Sequence, residues 1–153
     1  MINSTLCYIE RKSASGEPEV LLLHRVKKKN DLNHDKWIGI GGKFEEGESP
    51  EDCMLREARE ETGLEVKLTG FLGIFHNHDM VWANGDAAHV ISAMYTAEIV
   101  SGEPRIDEES FELRFFGKDE FPELFAEDHI AALEAWCGGV RLPLFTENEY
   151  RKA

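Results

Sequence analysis

The sequence predicts a mixed α/β (α+β) fold in which helices pack against a mixed β-sheet. Short apolar runs and helical patterns follow one another in the order strands, helix, strands, helix. The chain has 153 residues, one domain's length, without repeats, low-complexity tracts or a linker. We therefore expect residues 1–153 to form a single domain.

Two strands joined by a turn are predicted near the start of the chain, at Thr5–Glu10 and Val20–Val26. The segment between them, residues 13–18, has the Ser, Gly and Pro content typical of a turn. The polar segment Lys27–Lys36 is expected to be a loop. It leads into Trp37–Gly42, for which we expect a Gly-rich turn.

A helix is predicted over Pro50–Thr62. Ser49 can cap its N-terminus, and proline suits its first position. The acidic residues 51 and 52 complement the helix dipole, and Gly63 is placed to end the helix. On its expected core side lie Leu55, Ala58 and Thr62.

Further strands are predicted at Glu65–Phe75, Ala87–Val100 and Glu112–Phe116, with a loop containing Asn84-Gly85-Asp86 between the first two. The spacing of apolar residues predicts a second helix over Asp128–Cys137, ended by two glycines. These elements complete the predicted layers.

The charge balance restricts the partners. The chain carries 17 basic and 30 acidic residues, a net charge of -13. Such a surplus disfavours nucleic-acid polymers and anionic membranes. A phosphorylated small molecule remains compatible if divalent cations stand between it and the protein. Three widely spaced cysteines and the lack of a leader or apolar span lead us to expect a cytoplasmic protein.

Three carboxylates are predicted to share one face of the first helix. At 100° per residue, Glu57, Glu60 and Glu61 fall within an arc of about 100°. Each close pair could cost up to about 4 kcal/mol at roughly 4 Å and an effective dielectric near 20. Hard oxygen ligands are what Mg²⁺ or Mn²⁺ prefers, and the backbone carbonyl of Gly41 could join them. The alternative is an ordinary solvated acidic helix face.

The spacing of this segment resembles the Nudix box. Its pattern reads Gly42, five residues, Glu48, seven residues, Arg56-Glu57-Ala58, one residue, Glu60-Glu61, one residue, Gly63-Leu64. Seven identities at fixed spacing, each near 7% in background frequency, make a chance match on the order of one in a million. The chain is therefore similar to Nudix hydrolases, with the box at residues 42–64.

The resemblance implies an α/β/α sandwich and Mg²⁺-dependent hydrolysis of a phosphoanhydride, with Mn²⁺ as the possible replacement. By motif position, Glu57, Glu60 and Glu61 would hold or flank the metal. Arg56 would brace these glutamates by ion pairing, and Glu48 would tie the loop to the helix or join a water shell. The general base would be Glu57 or a carboxylate further along the chain.

The resemblance also implies an acid from a loop before a late strand. The acidic run Asp107-Glu108-Glu109 stands at this place. We prefer Glu109, as a catalytic residue and metal ligand, because of its spacing to Phe115-Phe116, with Glu108 next. The alternative is a solvated acidic turn.

The substrate class is suggested by the flanking residues 5–64, which are similar to the MutT-like branch that hydrolyses oxidised purine nucleotides. The second half of the chain looks more like Nudix enzymes of undetermined substrate. We expect hydrolysis of a nucleoside triphosphate such as 8-oxo-dGTP to the monophosphate and pyrophosphate. The resemblance implies phosphate contacts from Arg25 and Lys43. The amide of Asn33 is our candidate for the contact to the base.

The sequence is also compatible with two other functions. One is hydrolysis of ADP-ribose or another nucleotide sugar. The other is a non-catalytic Nudix-fold module that senses a nucleotide, although the intact glutamates of the box favour an enzyme. The sequence is compatible with a monomer or a homodimer.

Overall fold

The computed structural model describes residues 2–25, 36–81, 87–105, 110–124, 127–138 and 144–145. These residues contain eight strands and two helices. In chain order they are β1 (Ile2–Lys12), β2 (Pro18–Arg25), β3 (Lys36–Ile38), β4 (Ile40–Lys43), α1 (Pro50–Thr62), β5 (Glu65–Val81), β6 (Ala87–Ser101), β7 (Ser110–Gly117), α2 (Glu127–Trp136) and β8 (Leu144–Phe145).

The described strands form one mixed sheet built around β1. Its main path runs β3-β2-β1-β6-β5-β8, with β4 paired to β1 and β7 paired to β2. β1 lies parallel to β6 and antiparallel to both β2 and β4. The long antiparallel pair β5 and β6 extends the sheet on one side, and its register shifts at several points. β1 therefore supports the Gly-rich strand β4 from the centre of the sheet.

Two separate cores lie on opposite faces of this sheet. Side chains of β1 alternate between them, as expected for a strand buried on both faces. Leu6 and Tyr8 pack in the core that includes Leu133 of α2. Cys7 and Ile9 pack in the core that includes residues of α1. The arrangement is an α/β/α sandwich with a mixed sheet, which confirms the predicted fold class.

Helix α1 begins and ends where the sequence predicts. The amide of Asp52 donates to the hydroxyl of Ser49 at 3.1 Å, so the N-cap is formed. Gly63 has φ of 75°, a left-handed conformation that glycine adopts without a steric penalty. Its amide donates to the carbonyl of Arg59 at 2.9 Å and closes the helix.

The buried face of α1 differs from the predicted one. Ala58 and Thr62 are buried as expected, but Leu55 is only half-buried. Cys53 and Met54 are fully buried in its place. The helix is therefore rotated toward the side that carries its glutamates, because the glycines of β4 leave room there.

The predicted Gly-rich turn at Trp37–Gly42 is wrong, because this segment forms β3 and β4 with a break at Gly39. Gly41 faces the backbone of β1 so closely that a Cβ would collide with the carbonyl of Thr5. Gly41 here serves close strand approach and not chain reversal. The predicted strands are otherwise present, mostly with longer bounds, and β8 was not predicted. The predicted loops lie outside the described residues, except that Lys36 begins β3.

Candidate active site

Arg56 is the centre of the polar network along α1. Its Nε donates to Oε2 of Glu48 at 2.7 Å, and its Nη2 donates to Oε1 of the same carboxylate at 2.9 Å. This bidentate pairing fits the planar guanidinium and fixes its orientation. Nη2 also donates to the backbone carbonyl of Lys43 at 3.1 Å. Arg56 thereby joins α1, the loop before it and the end of β4.

The same guanidinium also holds glutamates of the helix. Nη1 donates to Glu57 at 2.8 Å and to Glu60 at 3.1 Å, and it lies 3.6 Å from the carboxylate of Glu45. Arg56 and Glu57 have side chains only 17% and 14% exposed, whereas Glu60 is 59% exposed. Four carboxylates thus share one cation, which leaves the cluster with surplus negative charge. A cluster of this composition attracts further cations.

Two carboxylates of α1, those of Glu57 and Glu61, lie against the glycines of β4. A Cβ on Gly42 would lie 2.6 to 2.8 Å from the carboxylate atoms of Glu57, so this carboxylate sits directly against the strand backbone. The amide of Gly41 donates to Oε1 of Glu61 at 3.3 Å. Burial first, and the charge of Glu61 second, raise the pKa of Cys7 on β1.

The oxygen donors available here fit a hard divalent cation in kind. Glu57 and Glu61 are one helical turn apart and both contact the two-residue stretch of Gly41 and Gly42. Within the part of the chain that the structure describes, no three His, Cys, Asp or Glu side chains are arranged as a metal cage. Arg56 holds Glu57 and Glu60, and the Gly41 amide holds Glu61. The metal role of these residues stays a prediction.

The structure describes only some of the other predicted site residues. Lys43 is exposed at the end of β4. Arg25 ends β2, where its backbone pairs with Lys36 and Ser110. Its side chain is not among those that the structure describes. Asn33, Glu109 and the alternatives Asp107 and Glu108 also lie outside the described residues. The predicted carbonyl role of Gly41 stays a prediction, since the contact found involves its amide.

Two residues of the network were not among the predicted ones. Glu45 reaches Arg56 from the loop, and its amide donates to Glu48 at 2.7 Å. Cys53 lies beneath Arg56, with its sulfur 3.7 Å from Nη2. The sequence contained one signal for Cys53, because residues three apart on a helix are neighbours and Cys53 precedes Arg56 by three.

Comparison with known proteins identifies the family. The model of the NUDIX domain matches residues 4–136. The chain therefore belongs to the Nudix family, which confirms the family predicted from the box. Within the described residues, no helix is long and apolar enough to cross a membrane.

Curated relatives carry more than one activity in their names. The ADP-ribose pyrophosphatase of Methanocaldococcus jannaschii is 33% identical over 104 residues, which are 68% of this chain and 59% of that protein. The NAD-capped RNA hydrolase NudC of Pseudomonas aeruginosa is 36% identical over 93 residues, 60% of this chain and 31% of that protein. The chain thus spans less than two thirds of the length of either relative.

Solved structures support the same fold. The crystal structure of a MutT NUDIX hydrolase from Burkholderia pseudomallei superposes with a TM-score of 0.71 at 27% sequence identity. The match covers 87% of this chain and 95% of that chain. The similarity in fold therefore extends over most of both chains.

The pairing of Glu48 with Arg56 predicts a pH-dependent stability. The Arg56 hydrogen bond, followed by that from the Glu45 amide, lowers the pKa of Glu48 from 4.5 to about 2. A carboxyl whose pKa falls on folding stabilises the protein above its unfolded pKa and loses this effect as the pH falls through its folded pKa. We expect the free energy of unfolding of Glu48→Gln to fall less steeply than that of the wild type between pH 4.5 and pH 2.

Urea denaturation at a series of pH values measures this difference. Glu65→Gln is the matched control, because Glu65 pairs with Arg59 in a half-exposed ion pair on the surface. The control should keep the wild-type slope. Equal slopes for the wild type and Glu48→Gln would contradict the role given to the Arg56 contact.

Proposed function

We propose that this protein is a metal-dependent pyrophosphohydrolase that cleaves a phosphoanhydride bond of a small nucleotide. The observation that carries this proposal is the seating of the Glu57 and Glu61 carboxylates against Gly41 and Gly42, beside an Arg56 that is shared by four glutamates. An ordinary solvated helix face would keep such carboxylates in water and apart from the sheet. Membership of the Nudix family supports the same reaction class.

The residues of α1 have distinct roles in this proposal. Glu57, Glu60 and Glu61 would hold Mg²⁺, or Mn²⁺ in its place. Once bound, the cation neutralises the polyphosphate and lowers the pKa of the attacking water. Arg56 is a positioning residue, because it fixes Glu57 and Glu60 from one guanidinium while anchored on Glu48.

Proton removal from the attacking water requires a base, for which two sources remain in the proposal. Glu57 is mostly buried beside Gly42 and is itself one of the proposed metal ligands. Glu109 would act from the residues that precede β7 and would also be a metal ligand, with Asp107 or Glu108 as replacements. The choice among these three residues rests on sequence spacing alone.

For the substrate we propose a nucleoside triphosphate with an oxidised purine, such as 8-oxo-dGTP. Its hydrolysis consumes one water and yields the nucleoside monophosphate and pyrophosphate. The similarity of residues 5–64 to the MutT-like branch and the fold match to a MutT NUDIX hydrolase support this choice. Arg25 and Lys43 would contact the phosphates, and Asn33 the altered edge of the base.

A second candidate substrate is ADP-ribose. The observation that favours it is the 33% identity to an ADP-ribose pyrophosphatase over 68% of this chain. Both candidates contain a phosphoanhydride that the same metal site would cleave, so they differ in the pocket for the remainder of the molecule. The non-catalytic alternative is disfavoured because all the glutamates of the box are present.

The substrate proposal predicts a selectivity. We expect a higher kcat/KM for 8-oxo-dGTP than for dGTP, and we expect Asn33→Ala to narrow this gap. A site that hydrogen-bonds a particular edge discriminates strongly when its polar groups would otherwise be left unpaired. The measurement is a panel of nucleoside triphosphates, oxidised nucleotides, dinucleoside polyphosphates and ADP-ribose, with products separated by chromatography.

Equal kcat/KM for dGTP and 8-oxo-dGTP would reject the oxidised purine as the preferred substrate. A clear preference for ADP-ribose would establish the second candidate. Absence of turnover on every phosphoanhydride of the panel, with Mg²⁺ and with Mn²⁺, would reject the proposed function itself.

The metal assignment predicts the effect of removing a ligand charge. Glu60→Gln and Glu61→Gln should each lose most of their activity, beyond the roughly 10- to 100-fold that an outer-shell partner costs. Both variants should remain folded, because the change removes local repulsion on α1. The measurements are kcat/KM at saturating Mg²⁺ and the melting temperature without metal.

Glu65→Gln again supplies a matched control, since it removes the same charge from a surface glutamate at the start of β5. This variant should keep wild-type kcat/KM. Wild-type turnover in both Glu60→Gln and Glu61→Gln would overturn the metal assignment.

A further inference from the structure

Cys53 is a fully buried thiol on the inner side of α1, one helical turn before Arg56. Its sulfur lies at the point where α1, β1 and β4 meet. Thr5 of β1, itself 1% exposed, donates its hydroxyl to this sulfur at 3.3 Å. A buried thiol among apolar side chains would only fill space, but this thiol is surrounded by polar groups.

The polar contacts of Cys53 connect it to the arginine network. The thiol is oriented to donate to the carbonyls of Lys43 at 3.5 Å and Gly42 at 3.8 Å. Its sulfur accepts a hydrogen bond from Nη2 of Arg56 at 3.7 Å. A thiol has one S–H donor and a weakly accepting sulfur, so the two carbonyls share a single proton while the sulfur accepts from Thr5 and Arg56. Nη2 of Arg56 also donates to the carbonyl of Lys43. The thiol, the carbonyl and the guanidinium therefore form a closed triangle of contacts.

We propose that Cys53 is a positioning residue of the hydrolytic site, which fixes the Arg56 guanidinium against the end of β4. The inference rests on the proposed function. Arg56 holds Glu57, and the Glu57 carboxylate lies against Gly42, whose carbonyl is one of the two that Cys53 contacts. A displacement of the guanidinium from the Lys43 carbonyl would move Glu57 away from the glycines. In this role Cys53 acts through Arg56.

Alanine at position 53 removes these contacts while remaining small enough to pack. Cys53→Ala would leave the buried Thr5 hydroxyl without its sulfur acceptor. It would also remove the contact between Nη2 of Arg56 and the sulfur. Serine would restore a donor and an acceptor at nearly the same place. The pair of variants therefore separates loss of polar contacts from loss of the thiol itself.

The test compares Cys53→Ala, Cys53→Ser and a control, Val20→Ala. Val20 is fully buried in the core on the α2 side of the sheet, so its truncation destabilises the protein far from Arg56. One readout is solvent exchange of the Arg56 Nε proton by NMR, in protein without metal. The other is kcat and KM on the nucleotide that the wild type hydrolyses, at saturating Mg²⁺ and well below the melting temperature.

We expect faster Nε proton exchange and a fall in kcat on the order of 10-fold for Cys53→Ala, with KM little changed. Cys53→Ser should recover most of both losses, and Val20→Ala should lower only the melting temperature. Unchanged exchange and kcat in Cys53→Ala would overturn the inference. So would equal losses in Val20→Ala, or a serine variant no better than alanine. If the wild type hydrolysed no phosphoanhydride, the proposed function would be rejected. The exchange measurement would still test whether Cys53 fixes the Arg56 guanidinium.

Discussion

The pairing of Arg56 with Glu48 is the interaction on which the candidate site depends. Two short hydrogen bonds to Glu48 fix the orientation of the Arg56 guanidinium. In this orientation its other N–H groups donate to the Lys43 carbonyl, Glu57 and Glu60. Because one cation serves several carboxylates, the helix can carry glutamates at neighbouring positions. The hydrogen bond to Glu48 is the main cause that raises the pKa of Arg56, and the contact with Glu57 also raises it.

The second constraint is the close approach of β4 to its neighbours. Gly41 lies against the backbone of β1, and Gly42 lies against the Glu57 carboxylate. Any side chain at either position would force these groups apart. The glycines thus allow carboxylates of α1 to pack against the sheet, where one of them accepts a hydrogen bond from the Gly41 amide. The fold and the proposed chemistry depend on the same two residues.

Local signals in the sequence were sufficient for much of this fold. The capping residues Ser49 and Gly63 predicted both ends of α1, because capping depends on chemistry within a few residues. Short apolar runs predict the main strands but not the polar residues at several of their ends. The prediction of a turn at the glycines of β4 is wrong, because composition does not show whether a glycine serves chain reversal or close strand approach.

The site could be predicted only in part, because contacts between residues far apart in the chain leave no local signal in the sequence. The motif spacing identified the glutamates and Arg56, but the contact of Cys53 with Thr5 joins residues 48 positions apart. Helical periodicity also placed the buried face of α1 too far from Glu57, because it takes no account of the space that Gly42 leaves. The base contact of Asn33 and the loop acid Glu109 remain predictions from sequence.

The central claim is that carboxylates seated against the Gly-rich strand bind a divalent cation. Its most direct test is Mn²⁺ binding, followed by loss of the free-ion EPR signal, in the wild type, Glu57→Gln and Glu65→Gln. We predict binding by the wild type and Glu65→Gln, and weaker binding by Glu57→Gln, because a carboxylate is a far better ligand for a hard cation than an amide. Equal Mn²⁺ binding by all three proteins, or none by the wild type, would contradict the claim.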